Sequence, residues 1–166
     1  MTSITKFVKV GFGQVEPNHL SAQRNAQIYA QLAAKDTIDL LENGQYVKYD
    51  YANKEVNFTG AGEWMLVYNE VKVYKDYETV KDFAMTKENQ VRGLIVPRVF
   101  KTMPGDIYTT NFVAEGEYEA GDKLVIGANG VPTKTEEGAP EGLVLEVAEV
   151  TTMPDGQPAL KLMRIQ

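Results

Sequence analysis

Chemistry in this chain would have to come from very few side chains. His19 is the only histidine, Ser3 and Ser21 are the only serines, and there is no cysteine. A Ser-His-Asp triad would need His19 with one of those two serines. His19 and Ser21 sit two apart in a polar stretch with nothing beside them to orient a base. Without cysteine there are no thiolate zinc sites, iron–sulfur clusters or cysteine nucleophiles, and one histidine excludes a multi-histidine metal centre within one chain. Carboxylates remain, 23 of them. Glu115, Glu117 and Glu119 stand out, because a spacing of two puts three like charges on one face of an extended segment. Such a row suits a solvated edge strand, an Arg/Lys patch on a partner, or a hard cation such as Ca²⁺, ranked in that order. A carboxylate pair for glycoside hydrolysis stays open as a background reading, since no pair is singled out.

The other motifs read as structure. Gly11-Phe-Gly13 and Gly60-Ala-Gly62 lack a third glycine and a following Lys-Ser/Thr. They are therefore turns or close backbone approaches, not phosphate cradles. Residues 50–55 carry oxygen ligands at the wrong spacing for an EF-hand and read as a hairpin turn. Lys134 follows the Asn129-Gly130 turn and reads as an exposed loop lysine. His19 is expected to be solvated and Trp64 to be core. Tyr46, Tyr49, Tyr51, Tyr68, Tyr74 and Tyr77 crowd one stretch, which suits core, an interface, or a platform for stacking a sugar. No residue is assigned a catalytic, cofactor-binding or metal-binding role.

Turn dipeptides punctuate the chain at Asn43-Gly44, Asn129-Gly130 and Asp155-Gly156. Between such breaks lie eight expected strands at residues 46–51, 55–58, 64–73, 94–100, 107–112, 123–126, 143–150 and 159–165, spaced as in a sandwich or barrel. Residues 19–41, rich in Ala, Gln and Leu, favour helix, with an alternating extended reading in competition. A second short helix is expected over residues 78–85. The fold is therefore expected to be mainly β: a small β-barrel or sandwich in residues 89–166, and a mixed N-terminal part in residues 1–88 with one or two short helices and a possible binding arm.

The 166 residues carry a net charge of −6. Nine acids against Lys123 and Lys134 give residues 115–149 a net −7, so the rest is near +1. An acidic surface disfavours nucleic acid and anionic membranes, and no apolar run approaches the ~20 residues of a membrane span.

Residues 116–126 (Gly-Glu-Tyr-Glu-Ala-Gly-Asp-Lys-Leu-Val-Ile), Ala128-Asn-Gly-Val, a polar loop, residues 140–147 (Pro-Glu-Gly-Leu-Val-Leu-Glu-Val) and the closing residues 159–165 (Ala-Leu-Lys-Leu-Met-Arg-Ile) follow one another in order. This layout resembles the small β-barrel of tailed-bacteriophage capsid decoration proteins, also called cement or head-stabilisation proteins. Residues 97–100, 105–112 and 42–50 are similar in style to phage structural proteins. The resemblance covers mainly residues 116–165. It implies a non-enzymatic virion protein, made in the host cytoplasm and bound to the capsid exterior, with the major capsid protein as partner and a homo-oligomer, favourably a trimer, as the working form. It carries no catalytic residue and no cofactor. Apolar side chains near the N-terminus, Phe7, Val8, Phe12 and Val15, together with Ile28, Tyr29 and Leu32, are expected to make the inter-subunit or capsid contacts.

Overall fold

The computed structural model describes residues 4–69, 74–75, 78–79, 83–136, 138 and 140–166. It is mainly β, as expected. Two six-stranded sheets dominate. The upstream sheet runs in the order Ile28–Tyr29, Val99–Phe100, Trp64–Val67, Tyr46–Asp50, Glu55–Asn57, Ala33–Ala34. Its last pair is parallel and the others are antiparallel. The downstream sheet runs Pro132–Lys134, Lys123–Ile126, Val144–Thr152, Pro158–Arg164, Ile107–Thr110, Val15–His19, antiparallel throughout. Three two-stranded ribbons add to these: Ile4–Phe7 with Gly116–Tyr118, Leu40–Glu42 with Ala84–Thr86, and Tyr74–Lys75 with Glu78–Thr79. Neither large sheet closes on itself, so the arrangement is sandwich-like, without a barrel.

Period-two alternation explains the layering. Tyr46, Leu66 and Phe100 leave one face of the upstream sheet and pack with Tyr108, Leu124, Leu145, Val147, Leu160 and Leu162 of the downstream sheet. Val47, Tyr49, Met65, Val67 and Val99 leave the opposite face and form a second core with Ile38, Leu41, Met85 and Ile95. The upstream sheet is thus buried on both sides, which accounts for its near-continuous apolar runs. Each fully buried side chain of this size contributes about 1.5–3 kcal/mol. The two tyrosines of the first core meet head to head, with Tyr46 Oη 3.1 Å from Tyr108 Oη. Burial raises both phenols above their usual range, so both remain protonated and satisfy each other.

The sheets draw strands from both sides of the boundary expected at residues 88 and 89. Val15–His19 is an edge strand of the downstream sheet, Ile4–Phe7 pairs with Gly116–Tyr118, and Val99–Phe100 lies inside the upstream sheet. The helix expected over residues 19–41 is reduced to Ala22–Asn25 and ends at Ala26 in a left-handed conformation. The remainder forms Ile28–Tyr29, Ala33–Ala34 and Leu40–Glu42, because neighbouring strands offer the backbone partners that outweigh modest helix propensity. The second helix is also replaced: Glu78–Thr79 and Ala84–Thr86 are strands, and residues 80–82 lie outside the described residues. The strand at Trp64 stops at Val67; Val71, Val73 and Tyr77 fall outside the described residues. Of residues 94–100 only Val99–Phe100 is strand.

Asn129-Gly130 is a turn as expected, with Asn129 at φ 54° and Gly130 at φ 72°, but the segment after it, expected as a loop holding Lys134, is the strand Pro132–Lys134, because Lys123–Ile126 offers it backbone partners. This turn is not a free tip. Gln45 Nε2 donates to Asn129 O at 2.8 Å, and a Cβ on Gly130 would fall 1.8 Å from Tyr46 O. Glycine is required there because the downstream turn rests on the backbone of an upstream strand.

Candidate functional site

Residues 8–14 link the Ile4–Phe7 strand to the Val15–His19 strand and form a strap across the surface. Its even-numbered apolar side chains are exposed: Val8 by 42%, Val10 by 66% and Phe12 by 37%. Its other side is pinned by side chains. Lys9 Nζ meets Glu42 Oε1 at 2.6 Å, and the same oxygen accepts from Gly13 N at 2.9 Å. Val10 N donates to Gln157 Oε1, and Asn111 Nδ2 donates to both Phe12 O and Gln157 Oε1. Gln14 N donates to Asn111 Oδ1 at 2.6 Å, and Gln14 Nε2 donates to Asp155 Oδ2. Gly13 passes so close to Asn43 that a Cβ would sit 2.1 Å from its carbonyl oxygen, so this glycine pair is a close backbone approach. The strap is thus an ordered ridge whose apolar side chains need no rearrangement to meet a partner.

The acidic row borders the same region. Glu117 lies in the Gly116–Tyr118 strand that pairs with Ile4–Phe7, between Glu115 and Glu119, and all three are exposed. Among the described residues no group of three or more His, Cys, Asp or Glu is placed to hold a metal ion. The antiparallel pairing of Phe7 with Gly116 sets the Glu115 end of the row nearest the start of the strap.

The expected contact residues divide. Phe7 is wholly buried and packs edge-on against Tyr118 at 5.9 Å, and Val15 is 7% exposed, paired with Thr110. Both belong to the first core, and neither can reach a partner in this conformation; the alternation that exposes Val8 turns Phe7 inward. Val8 and Phe12 are on the surface. Ile28 packs against the first core, and Tyr29 and Leu32 against the second, each half-buried. Val10, Val91 and Leu94 are exposed apolar residues that sequence reasoning missed. So were the polar pins Gln14, Glu42, Asn111 and Gln157. Nothing local marks them: Asn111, for one, follows two threonines within the run 107–112.

The scarce reactive residues are structural or surface groups. His19 is exposed at the end of an edge strand. Ser21 donates its hydroxyl and its amide N–H to the carboxylate of Asp106, which also accepts from Met103 N. Arg164 Nη1 donates to Thr102 O and Oγ1 beside this carboxylate. Lys134 is held 2.8 Å from Asp122, and this hydrogen bond raises its pKa. Among the described residues the tyrosines of this stretch do not share one exposed face. Tyr46 and Tyr49 are buried, and Tyr29, Tyr49 and Tyr51 stack edge-to-face in a chain that leaves only Tyr51 largely exposed. Lys48 Nζ lies 4.7 Å from the centroid of the Trp64 ring and covers it. The chain matches no protein family, no characterised protein and no solved structure.

Proposed function

We propose that this chain is a non-enzymatic structural protein that attaches to the outside of a tailed-phage head and adds cohesion to the shell. One observation carries the reading: the exposed apolar ridge Val8, Val10 and Phe12, pinned from behind and leading out of a strand whose partner carries the exposed Glu117. The surface that complements it is an apolar groove with an Arg/Lys rim, supplied by the major capsid protein. Three side chains bury little area alone, so firm attachment needs several copies acting together, which favours a homo-trimer on the virion exterior. Prolines at both edges of the downstream sheet, Pro17 and Pro132, support association through side chains over strand addition. Such a protein needs no reactive side chain and no cofactor. It would be made in the host cytoplasm and would not be drawn to packaged DNA.

The test is co-sedimentation of the purified chain with tailed-phage heads assembled from the major capsid protein of the same phage, both before and after expansion. Saturable binding that weakens in Val10→Asp and in high salt is expected. Absence of binding to both forms of head would sink the proposal.

A further inference from the structure

A second surface goes beyond the capsid reading and does not depend on it. The outer face of the downstream sheet carries a polar row across four strands. Cross-strand register places Glu149 opposite Lys161, Lys161 opposite Thr109, and Thr109 opposite Glu16. With strands about 4.8 Å apart, this row spans roughly 14 Å. In the hairpin joining Val144–Thr152 to Pro158–Arg164, Met153 is buried while Pro154, Asp155 and Gly156 are exposed. The turn is held in place, Asp155 by Gln14 and Gln157 by Asn111. Beside the turn lies a shallow groove of about 590 Å³, lined by the buried Thr109, by Glu16, Asn18 and Lys161, and by residues 151–154 and Gly156 of the hairpin.

The lining selects a ligand class. The volume falls within the range of small-molecule sites, roughly 300–1,000 Å³, but the walls are polar where most such sites are apolar. Donors and acceptors alternate. Thr109 Oγ1 donates to Asn18 Oδ1 at 2.8 Å, which fixes the carboxamide. The Asn18 amide nitrogen and the hydroxyls of Thr151 and Thr152 have no partner among the described residues. Lys161 is bridged to Glu149 at 2.6 Å. Bridged in this way, the Lys161 ammonium is already neutralised and gives an anion no free positive partner. An apolar ligand would leave hydroxyl and amide groups unsatisfied. A ligand that offers many hydroxyls, each both donor and acceptor, and no charge satisfies the whole row. The exposed ring of Pro154 gives such a ligand one apolar contact for its C–H face.

We propose that this groove binds a neutral saccharide, laid along the Glu149–Lys161–Thr109–Glu16 row beside the 153–157 turn. The test uses the full chain and isothermal titration with neutral oligomers of glucose, N-acetylglucosamine, mannose and galactose, with sialyllactose as the anionic comparator. Saturable binding of a neutral oligomer in the millimolar range or tighter is expected, with sialyllactose weaker. Asn18→Ala and Thr152→Ala, both at exposed positions, should each weaken it by roughly fivefold or more, with the melting temperature unchanged in Thr152→Ala and the chain still cooperatively folded in Asn18→Ala, which removes the acceptor of Thr109. Tyr51→Ala should leave it intact. No saturable binding up to about 10 mM of any neutral oligomer overturns the proposal. So does binding that survives Asn18→Ala and Thr152→Ala or is lost in Tyr51→Ala. None of these results bears on attachment to heads, which is read by co-sedimentation.

Discussion

Replacing Gly130 with alanine should damage the packing of the two sheets far more than the same change at Gly121. Both glycines have positive φ, 72° and 94°. A side chain there costs about 1–2 kcal/mol in either case. The surroundings differ. At Gly121 an added Cβ meets nothing within 4 Å, whereas at Gly130 it would lie 1.8 Å from Tyr46 O and 2.8 Å from Tyr46 C. Those are backbone atoms of a central strand, paired on both sides, and cannot rotate away. The turn must retreat instead. Retreat pulls Asn129 O from Gln45 Nε2, a bond of 2.8 Å, worth about 1 kcal/mol. Residual overpacking adds about 1–3 kcal/mol. Gly130→Ala should therefore lose about 3–6 kcal/mol and Gly121→Ala about 1–2 kcal/mol. Urea unfolding followed by Trp64 fluorescence, the chain having one tryptophan, measures both. Equal losses within about 1 kcal/mol would refute the claim that this turn rests on Tyr46.

Tyr46→Phe should cost about 1–3 kcal/mol, because it strands the Tyr108 hydroxyl in the core. The double change Tyr46→Phe with Tyr108→Phe should recover much of that loss in a double-mutant cycle. Both phenols have raised pKa values, so their contribution is complete below the ordinary value of 10.0 and is lost as pH rises further. Wild type should accordingly lose stability in alkali more steeply than the doubly substituted chain, as read by urea midpoints across pH. Partial burial would raise Asp155, but hydrogen bonds from Gln157 and Gln14 win and hold it below its usual 3.8. Its contribution is therefore present above 3.8 and lost as pH falls through the lower folded value, and Asp155→Asn should flatten the acid limb of the stability profile. Glu42→Ala removes the acceptor of Lys9 and Gly13 N. Losing about 1 kcal/mol of pinning should raise trypsin cleavage after Lys9 by about fivefold, with little change in melting temperature.

Local signals carried the strands that are flanked by good turns. Residues 123–126 are strand over the expected span, and the hairpin over residues 50–55 sits where its Asp and Asn indicate, with Asn53 N donating to Asp50 Oδ1. The losses came where nonlocal partners decide. Residues 28–34 are helix formers by composition, yet Val99–Phe100 and Glu55–Asn57 offer them open edges. Phe7 and Val8 are adjacent and equally apolar. Only the pairing with Gly116–Tyr118 determines which of the two turns to Tyr118. The groove was equally hidden, because its residues come from four strands and their register is a product of the fold.

The strap and the 153–157 turn are joined at Gln157. Its Oε1 accepts from Val10 N on the strap and from Asn111 Nδ2 beneath, while its Nε2 donates to Asp155 Oδ2 in the turn. Asn111 is wholly buried, so the joint is anchored in the sheet and not in solvent. Amide side chains suit such a joint, since each offers a donor and an acceptor in a fixed plane and carries no charge that burial would penalise. Gln14, Asn111 and Gln157 together hold the strap and the turn in shape through their neutral amides. Gln157 thus ties the turn to Val10 alone, while Glu42 holds Lys9 and Gly13 independently of it.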